Sequence, residues 1–373
     1  MVKLLHTGDI HLGKQFPVLQ SKAGDYRHQL IRTFEKIVDL AGKEGISLLL
    51  VAGDLFDTNR LYGLTVSQVI SAFKKLEASN IRACLIPGSH DDYSEDSIYR
   101  SVLFPPNVTV LTPEHSHQAY PDLDLAVDGL VPETSTWEHS PLQGFSPDPK
   151  FRFHVALVHC PVVVTEEEQN EKFIMGQDDI ARSGLDYLAL GHYHSFRDCS
   201  QDNTAACYCG SPEPLDFYRQ GTGNAVIVKL AEGAKAEFQA VPVGTKKCDS
   251  INIGMETQDS IDTVIRTIED RSDPNLILEV ILTGSNLIDR FPNIPEIEKM
   301  LSDRFFSLRI IDRIHPQVGK ANLKTYPDKT VAGRYLRVVE EKIAAATAQD
   351  KPLYEESLKL GFNLLQGNLK VME

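Results

Sequence analysis

Two kinds of apolar run alternate along the first hundred residues. Residues 2–7, 46–52 and 81–86 are short stretches, apolar nearly throughout, and each ends at glycine or proline followed by polar residues. Strands that are apolar on both faces belong to a sheet covered on both sides. Between them, residues 26–43 place Leu30, Phe34, Ile37, Val38 and Leu40 at helical spacing, and residues 64–76 form a second helix. Strands alternating with helices predict a mainly parallel sheet in an α/β domain. In such sheets ligands bind beyond the carboxyl ends of the strands.

Further short strands are expected at 108–111, 123–127, 153–158 and 187–190, and a group at 205–208, 225–230 and 237–241 suggests antiparallel strands closing a second sheet. Residues 131–150, rich in Pro, Ser, Thr and acids, read as a surface loop with Trp137 as a packing anchor, and the acidic residues 165–172 as a solvated loop beside the site. After Lys247 the pattern shifts to helix 259–270 (capped by Asp259 or Ser260), strand 276–282, helix 295–304 and strand 307–311. That is a small separate α+β domain. Two C-terminal helices follow. Val331, Tyr335, Val338 and Val339 mark the first; Tyr354, Leu358, Phe362, Leu365 and Leu369 mark the second, with Pro352 near its start and Gly367 near its end. A lone helical hairpin is marginal in water, so its apolar stripe needs a surface, in this chain or on a partner.

Composition narrows the class. The 373 residues imply two or three domains, and 42% hydrophobic with 24% charged residues excludes disorder, collagen and coiled coil as the main architecture. No apolar run approaches the length of a membrane span, and the N-terminus meets acid at Asp9 without the apolar stretch of a signal peptide. A cytoplasmic protein with no membrane partner is expected. A net charge of −14 argues against holding nucleic acid by bulk positive charge, but not through metal ions or a partner. The six scattered cysteines are expected to be reduced. Cys199, Cys207 and Cys209 suggest either a zinc knuckle or a hairpin carrying small buried thiols; with no fourth ligand at finger spacing, the hairpin is the better reading.

The candidate chemistry stands at strand ends: Asp9-Ile10-His11, Gly53-Asp54-Leu55-Phe56-Asp57, Gly88-Ser89-His90-Asp91, His159, and Gly191-His192-Tyr193-His194. In extended chain, residues two apart face one side, so Asp9 with His11, and His192 with His194, each present a pair. One Asp-x-His means little, since it recurs by chance. All these clusters in order, each after an apolar strand, make a site for two divalent transition metals. Oxygen and nitrogen donors without thiolate suit Mn, Fe, Co or Zn.

This order of motifs resembles the calcineurin-like metallophosphoesterase superfamily over residues 1–220. Leu-Leu-Val-Ala-Gly-Asp-Leu-Phe-Asp at 49–57 and Tyr-Cys-Gly-Ser-Pro at 208–212 are similar to its SbcD branch of DNA-repair nuclease subunits, and within it to the YhaO-like exonucleases. The resemblance implies a four-layer α/β sandwich of two mixed sheets flanked by helices. It implies a nuclease domain over 1–247, a small α+β capping domain over 248–326 and a C-terminal helical hairpin over 327–373 for docking a partner. By the same resemblance Asp9, His11 and His194 hold one metal, Asp54 bridges, and His159, His192 and residue 89 hold the second, Mn being the expected ion. His90 assists the leaving group, oriented by Asp91, while hydroxide held by the metals attacks in line. The implied activity is a DNA exonuclease, working with an SbcC-like SMC-type ATPase or as a homodimer through helices around 61–76 and 94–103.

One departure matters: the family has Asn where this chain has Ser89, a shorter and weaker neutral ligand. Ser89 and the helical hairpin motivate a second reading, a catalytically weakened scaffold subunit of an ATPase complex; the acidic balance, with no Lys/Arg-rich run near the motifs, motivates a third, a small-molecule phosphodiesterase of the same fold. Asp57 fits the bacterial branch but brings no positive charge to DNA. His6 is expected in the core, and His28, His115, His117, His139, His154 and His315 in structural or surface roles.

Overall fold

The computed structural model describes residues 1–60, 63–132, 139–163, 175–217, 220–255, 261–288, 292–319 and 324–365. Contacts divide the chain into two units, Met1–Cys248 and Asp249–Glu373.

In the first unit the strands are β1 (Val2–Thr7), β2 (Leu48–Ala52), β3 (Arg82–Ile86), β4 (Val108–Val110), β5 (His117–Tyr120), β6 (Leu125–Leu130), β7 (Phe153–His159), β8 (Val162–Val163), β9 (Met175–Gly176), β10 (Tyr187–Gly191), β11 (Arg197–Asp198), β12 (Ala205–Tyr208), β13 (Asn224–Leu230) and β14 (Glu237–Pro242). One sheet runs β14-β13-β1-β2-β3-β4 and the other β11-β12-β10-β7-β6-β5. Their centres are parallel, with β13 antiparallel to β1 and β5 antiparallel to β6. Both sheets are therefore mixed. Their facing sides bury Leu4, Leu48, Leu50 and Ile86 from one sheet against Val127, Leu157, Ala189 and Cys207 from the other. Because side chains alternate, the remaining residues of these strands point to the outer faces. The outer face of the first sheet faces helices α1 (Ala23–Glu44) and α2 (Gly63–Ala78), whose Phe34 and Phe73 rings meet edge to face at 5.6 Å. On the second sheet Val158, Leu188 and Leu190 pack outward against Ile180 of a six-residue helix, Gln177–Arg182, and Leu142. The expected four layers are present, the last one thin among the described residues.

Strand β5 was not expected, because His-Gln-Ala-Tyr carries no apolar run. The helix expected around 94–103 shrinks to Ile98–Ser101: the Ser97 hydroxyl caps it by accepting from the N–H of Tyr99, and Val102 is already extended. Trp137, residues 165–172, the caps Asp259 and Ser260, Gly367 and Leu369 lie outside the described residues.

The second unit is built on the sheet Lys247–Met255, Asp273–Leu287 and Phe305–Asp312, with His315–Gln317 pairing the long central strand. Val264, Ile268 and Ile297 from its helices Ile261–Glu269 and Ile294–Leu301 fill one core with Leu278, Val280 and Ile310. The C-terminal helices Val331–Ala345 and Lys351–Leu365 close on each other through Leu336, Val339, Leu358 and Phe362, together with Ile288. Their stripe is thus covered in part from within this unit, while Val331, Leu353 and Leu360 stay exposed.

Glu213, fully buried, follows the Tyr208–Pro212 run. It accepts from Gln29 Nε2 (3.1 Å) and Thr33 Oγ1 (2.6 Å) of α1 and from the N–H groups of Thr245 (2.8 Å) and Lys246 (3.0 Å). Replacing it by alanine orphans two backbone donors at about 1–3 kcal/mol each. Glu213→Ala should therefore lose at least about 2 kcal/mol of stability in urea unfolding. Glu213→Gln, which keeps an acceptor, should lose less.

Candidate metal centre

β1 and β2 run parallel, Thr7 opposite Val51, so their carboxyl ends share one edge. The loops beyond are laced together: the N–H of Asp9 donates to Gly53 O (3.1 Å), and those of Ile10 and His11 to Asp54 O (2.9 and 3.0 Å). Asp9, His11 and Asp54 all hold left-handed backbone, at φ 48°, 51° and 48°. Non-glycine residues held this way are uncommon and gather at functional sites.

The second sheet delivers the imidazoles. His159 ends β7 opposite Gly191, which ends β10. A Cβ at Gly191 would lie 1.8 Å from Ala52 O, so only glycine allows the two sheets this close. Across the gap His159 Nδ1 donates to Ala52 O (3.0 Å), which turns Nε2 toward Asp54 Oδ2 at 3.2 Å. The N–H of His192 donates to both oxygens of Asp9, at 3.0 and 3.1 Å. The third loop closes from β3. A Cβ on Gly88 would lie 2.2 Å from Asp54 Oδ1, and its absence lets the N–H of His90 reach that oxygen at 2.8 Å.

Three sets of donor atoms result, each with atoms within 4.8 Å of one another: Asp9, His11 and His194; Asp9, Asp54 and His159; His11, Asp57 and His90. Ser89 Oγ joins the second, 3.3 Å from Asp54 Oδ2 and 3.5 Å from His159 Nε2. His192 stands slightly outside, its ring centroid 5.5 Å from that of His159.

The electrostatics are those of a cation site. Asp9 and Asp54 are 0% and 2% exposed, and a buried carboxylate costs several kcal/mol unless compensated. Burial pushes the Asp9 carboxyl up to about 6, even with His159 and His11 pulling it down. Burial also works to raise Asp54, but the charge and hydrogen bond of His159 hold it well below the usual carboxylate range. His159 would be lowered by burial; Asp54 and Asp9 instead raise it to about 10. Burial and the neighbouring His159 lower His192 to about 4. His11 Nε2 is buried without a hydrogen-bond partner, 3.5 Å from Asp54 Oδ2. Two clustered carboxylates, an orphaned ring nitrogen and donors of oxygen and nitrogen only fit a pair of divalent cations.

The part expected of Asp91 falls to Asp57. Asp91 does not touch the His90 ring. Its oxygens accept from the N–H of Gly88 (2.7 Å), the N–H of Phe56 (2.9 Å) and the Tyr99 hydroxyl (2.6 Å), which pins the Gly88 loop to the Asp54 loop. Asp57 faces His90 instead. His90 Nδ1 lies 3.3 Å from Asp57 O and 3.7 Å from its Oδ1, and Asp57 Oδ1 also accepts from His11 Nδ1 (3.0 Å) and Lys14 Nζ (3.2 Å). Asp216 does the same for His194, 3.1 Å from its Nδ1. The spacing Gly-Asp-x-x-Asp carried the signal for Asp57. Nothing local marked Lys14, Tyr99 or Asp216. The His90 side chain is 46% exposed above His11, at the mouth of the site.

His6 is buried, 2.8 Å from the Tyr187 hydroxyl, and burial lowers it to about 3. All six cysteines are free and buried. Cys207 and Cys209 face between the sheets and Cys199 faces outward, so the β11–β12 hairpin carries separate buried thiols. Among the described residues no helix is long and apolar enough to cross a membrane.

Comparison with known proteins agrees with this geometry. The chain is 24% identical over 336 residues to the DNA double-strand break repair protein Mre11 of Sulfolobus acidocaldarius, a match covering 87% of this chain and 86% of that protein. It is 22% identical to the uncharacterized metallophosphoesterase YhaO of Bacillus subtilis, over 63% of this chain and 59% of YhaO. It is also 22% identical to SbcD of the SbcCD nuclease of Escherichia coli K12, over 63% of this chain and 66% of SbcD. Residues 2–196, just over half of the 373, match the family model for calcineurin-like phosphoesterases. The chain belongs to the calcineurin-like phosphoesterase family.

Proposed function

We propose that this protein is a Mn²⁺-dependent phosphodiesterase acting on DNA, an SbcD-like exonuclease subunit. The observation that carries the reading is the meeting of Asp9, His11 and Asp54 from one sheet with His159 and His194 from the other, beneath a half-exposed His90. The nuclease and repair relatives support DNA as the substrate. A pair of divalent cations, when bound, supplies Lewis-acid activation of water and neutralises charge on phosphoryl oxygens.

The chain's residues do the rest. Asp9, His11 and His194 would hold one ion and His159, His192 and Ser89 the other, with Asp54 contributing its carboxylate between them. Ala52 O and Asp57 fix the tautomers of His159 and His11, so that Nε2 of each faces the site. Attack in line leaves the departing oxygen in need of a proton, and His90 supplies it, held at Nδ1 by Asp57. The net charge of −14 favours, as a second reading, a small phosphodiester in place of DNA. The exposed Val331, Leu353 and Leu360 of the C-terminal helices offer a docking stripe for an SMC-type ATPase. Six free thiols fit a reducing cytoplasm.

Linear duplex DNA with Mn²⁺ is the direct test. Degradation should stop with a chelator and fall at least about a hundredfold in Asp54→Ala. Rapid cleavage of small diesters with DNA left intact would select the second reading. Ser89→Asn, which adds a carbonyl oxygen on a longer arm, should tighten the weaker metal site by about tenfold in calorimetric titration. If the wild type is inert and this variant active, the protein is a weakened scaffold. Metal uptake should also release a proton. With His159 raised to about 10, its ring is protonated at neutral pH in the metal-free protein, so metal competes with that proton. Apparent affinity should then rise with pH across the neutral range, up to about tenfold per unit for one proton. Binding enthalpies compared in buffers of different ionisation heat count that proton, and a count of zero contradicts the arrangement.

A further inference from the structure

Beside the metal centre, and sharing His194 with it, a pocket of about 150 Å³ opens. A cavity of that volume accepts one six-membered ring. Phe196, Ser211, Asp216, Thr222 and Asn224 contribute to its lining. Phe196 is an apolar ring left 39% exposed, its back against Phe238 at 6.4 Å between centroids. A single exposed aromatic is ordinary on a protein surface. This one is set apart by its place, two residues beyond His194, in the wall of a pocket that begins where the metal donors end.

The walls are held by the bonds that hold His194. The N–H and hydroxyl of Ser211 donate to His194 O, at 3.1 and 3.3 Å, and Asp216 Oδ2 meets His194 Nδ1. Pocket and ligand residue therefore form one preorganised piece. The chemistry of the lining selects its occupant. Among the described residues it contains no lysine or arginine, and the Asp216 carboxylate repels a second phosphate. What remains is an aromatic face with hydroxyl and amide groups that both donate and accept, which suits a flat heterocycle with polar edges.

We propose that this pocket takes the heterocyclic base of the nucleotide whose phosphate is cleaved, stacked on Phe196. The proposal rests on the phosphodiesterase reading above and names the part of the substrate next to the scissile bond. Every base has a π-face and a six-membered ring, and hydroxyls and amides serve donors and acceptors alike, so the pocket takes the six-membered ring of any base without reading its identity. The gain is in holding the terminal nucleotide rather than in reading sequence.

The test compares three Mn²⁺-dependent substrates with one leaving group: the p-nitrophenyl phosphodiesters of thymidine at its 5′ and 3′ oxygens, and of methanol. For one of the two thymidine esters the wild type should show kcat/KM at least about tenfold above the methyl ester, chiefly through KM. That ratio should fall toward one in Phe196→Ala and be kept in Phe196→Tyr, which retains the ring. In the wild type alone, thymidine monophosphate should inhibit about tenfold better than methyl phosphate. Hydrolysis of all three esters without preference, or a preference that survives Phe196→Ala, overturns the base pocket and leaves the phosphodiesterase reading standing. Hydrolysis of none of them, with linear duplex DNA also left intact, overturns that reading itself; with DNA degraded, the abasic comparison decides the pocket. An oligonucleotide with an abasic terminal nucleotide then separates DNA from free nucleotides as the source of the base: slower removal than of a normal terminus assigns the pocket to DNA, and equal removal overturns that assignment.

Discussion

The close approach of two sheet edges governs this molecule. Ala52 ends β2 in one sheet and Gly191 ends β10 in the other, and only the missing Cβ of Gly191 lets them meet. That contact sets His159 Nδ1 on Ala52 O and the His192 N–H on Asp9. Any side chain at residue 191 would part the sheets and, with them, the carboxylates of one from the imidazoles of the other. The large apolar interface behind, with Leu48, Leu50, Leu157 and Ala189, supplies the cohesion that holds the two edges together.

The site is an electrostatic compromise made before any ion arrives. Asp9 and Asp54 are buried carboxylates whose counter-charge in the protein is the raised His159. Around them lies a ring of groups whose task is orientation. Asp57 holds His11 and His90, Asp216 holds His194, and Asp91, reached by Tyr99, pins backbone instead of a ring. Side chains locked in this way lose little freedom when an ion or a phosphate binds, which is the advantage of preorganisation. The excess of acid over base across the chain is consistent with this plan: a phosphate would be attracted locally, by cations held in the cleft, and not by the surface at large.

The second unit obeys a different logic. Its long central strand, Asp273–Leu287, organises one small core, and its two C-terminal helices cover part of their own apolar stripe. Val331, Leu353 and Leu360 are left outside that packing.

By itself the sequence determined the strand–helix alternation, the buried parallel strands and the short motifs at their ends, because periodicity and glycine placement are local properties of the chain. Asp9, His11, Asp54, His159 and His194, which the fold brings together, were legible for the same reason: each follows an apolar run at the edge where α/β sheets bind ligands. Only the tertiary structure decided which carboxylate faces His90. Asp57 and Asp91 each close their own motif in sequence, and the choice depends on how the Gly88 loop packs on the Asp54 loop, a contact made across 35 residues by the Phe56 N–H. Asp216 was hidden for a related reason. It reaches His194 through the return of the Ser211 chain onto His194 O, and a hydrogen bond between segments distant in sequence leaves no period to read.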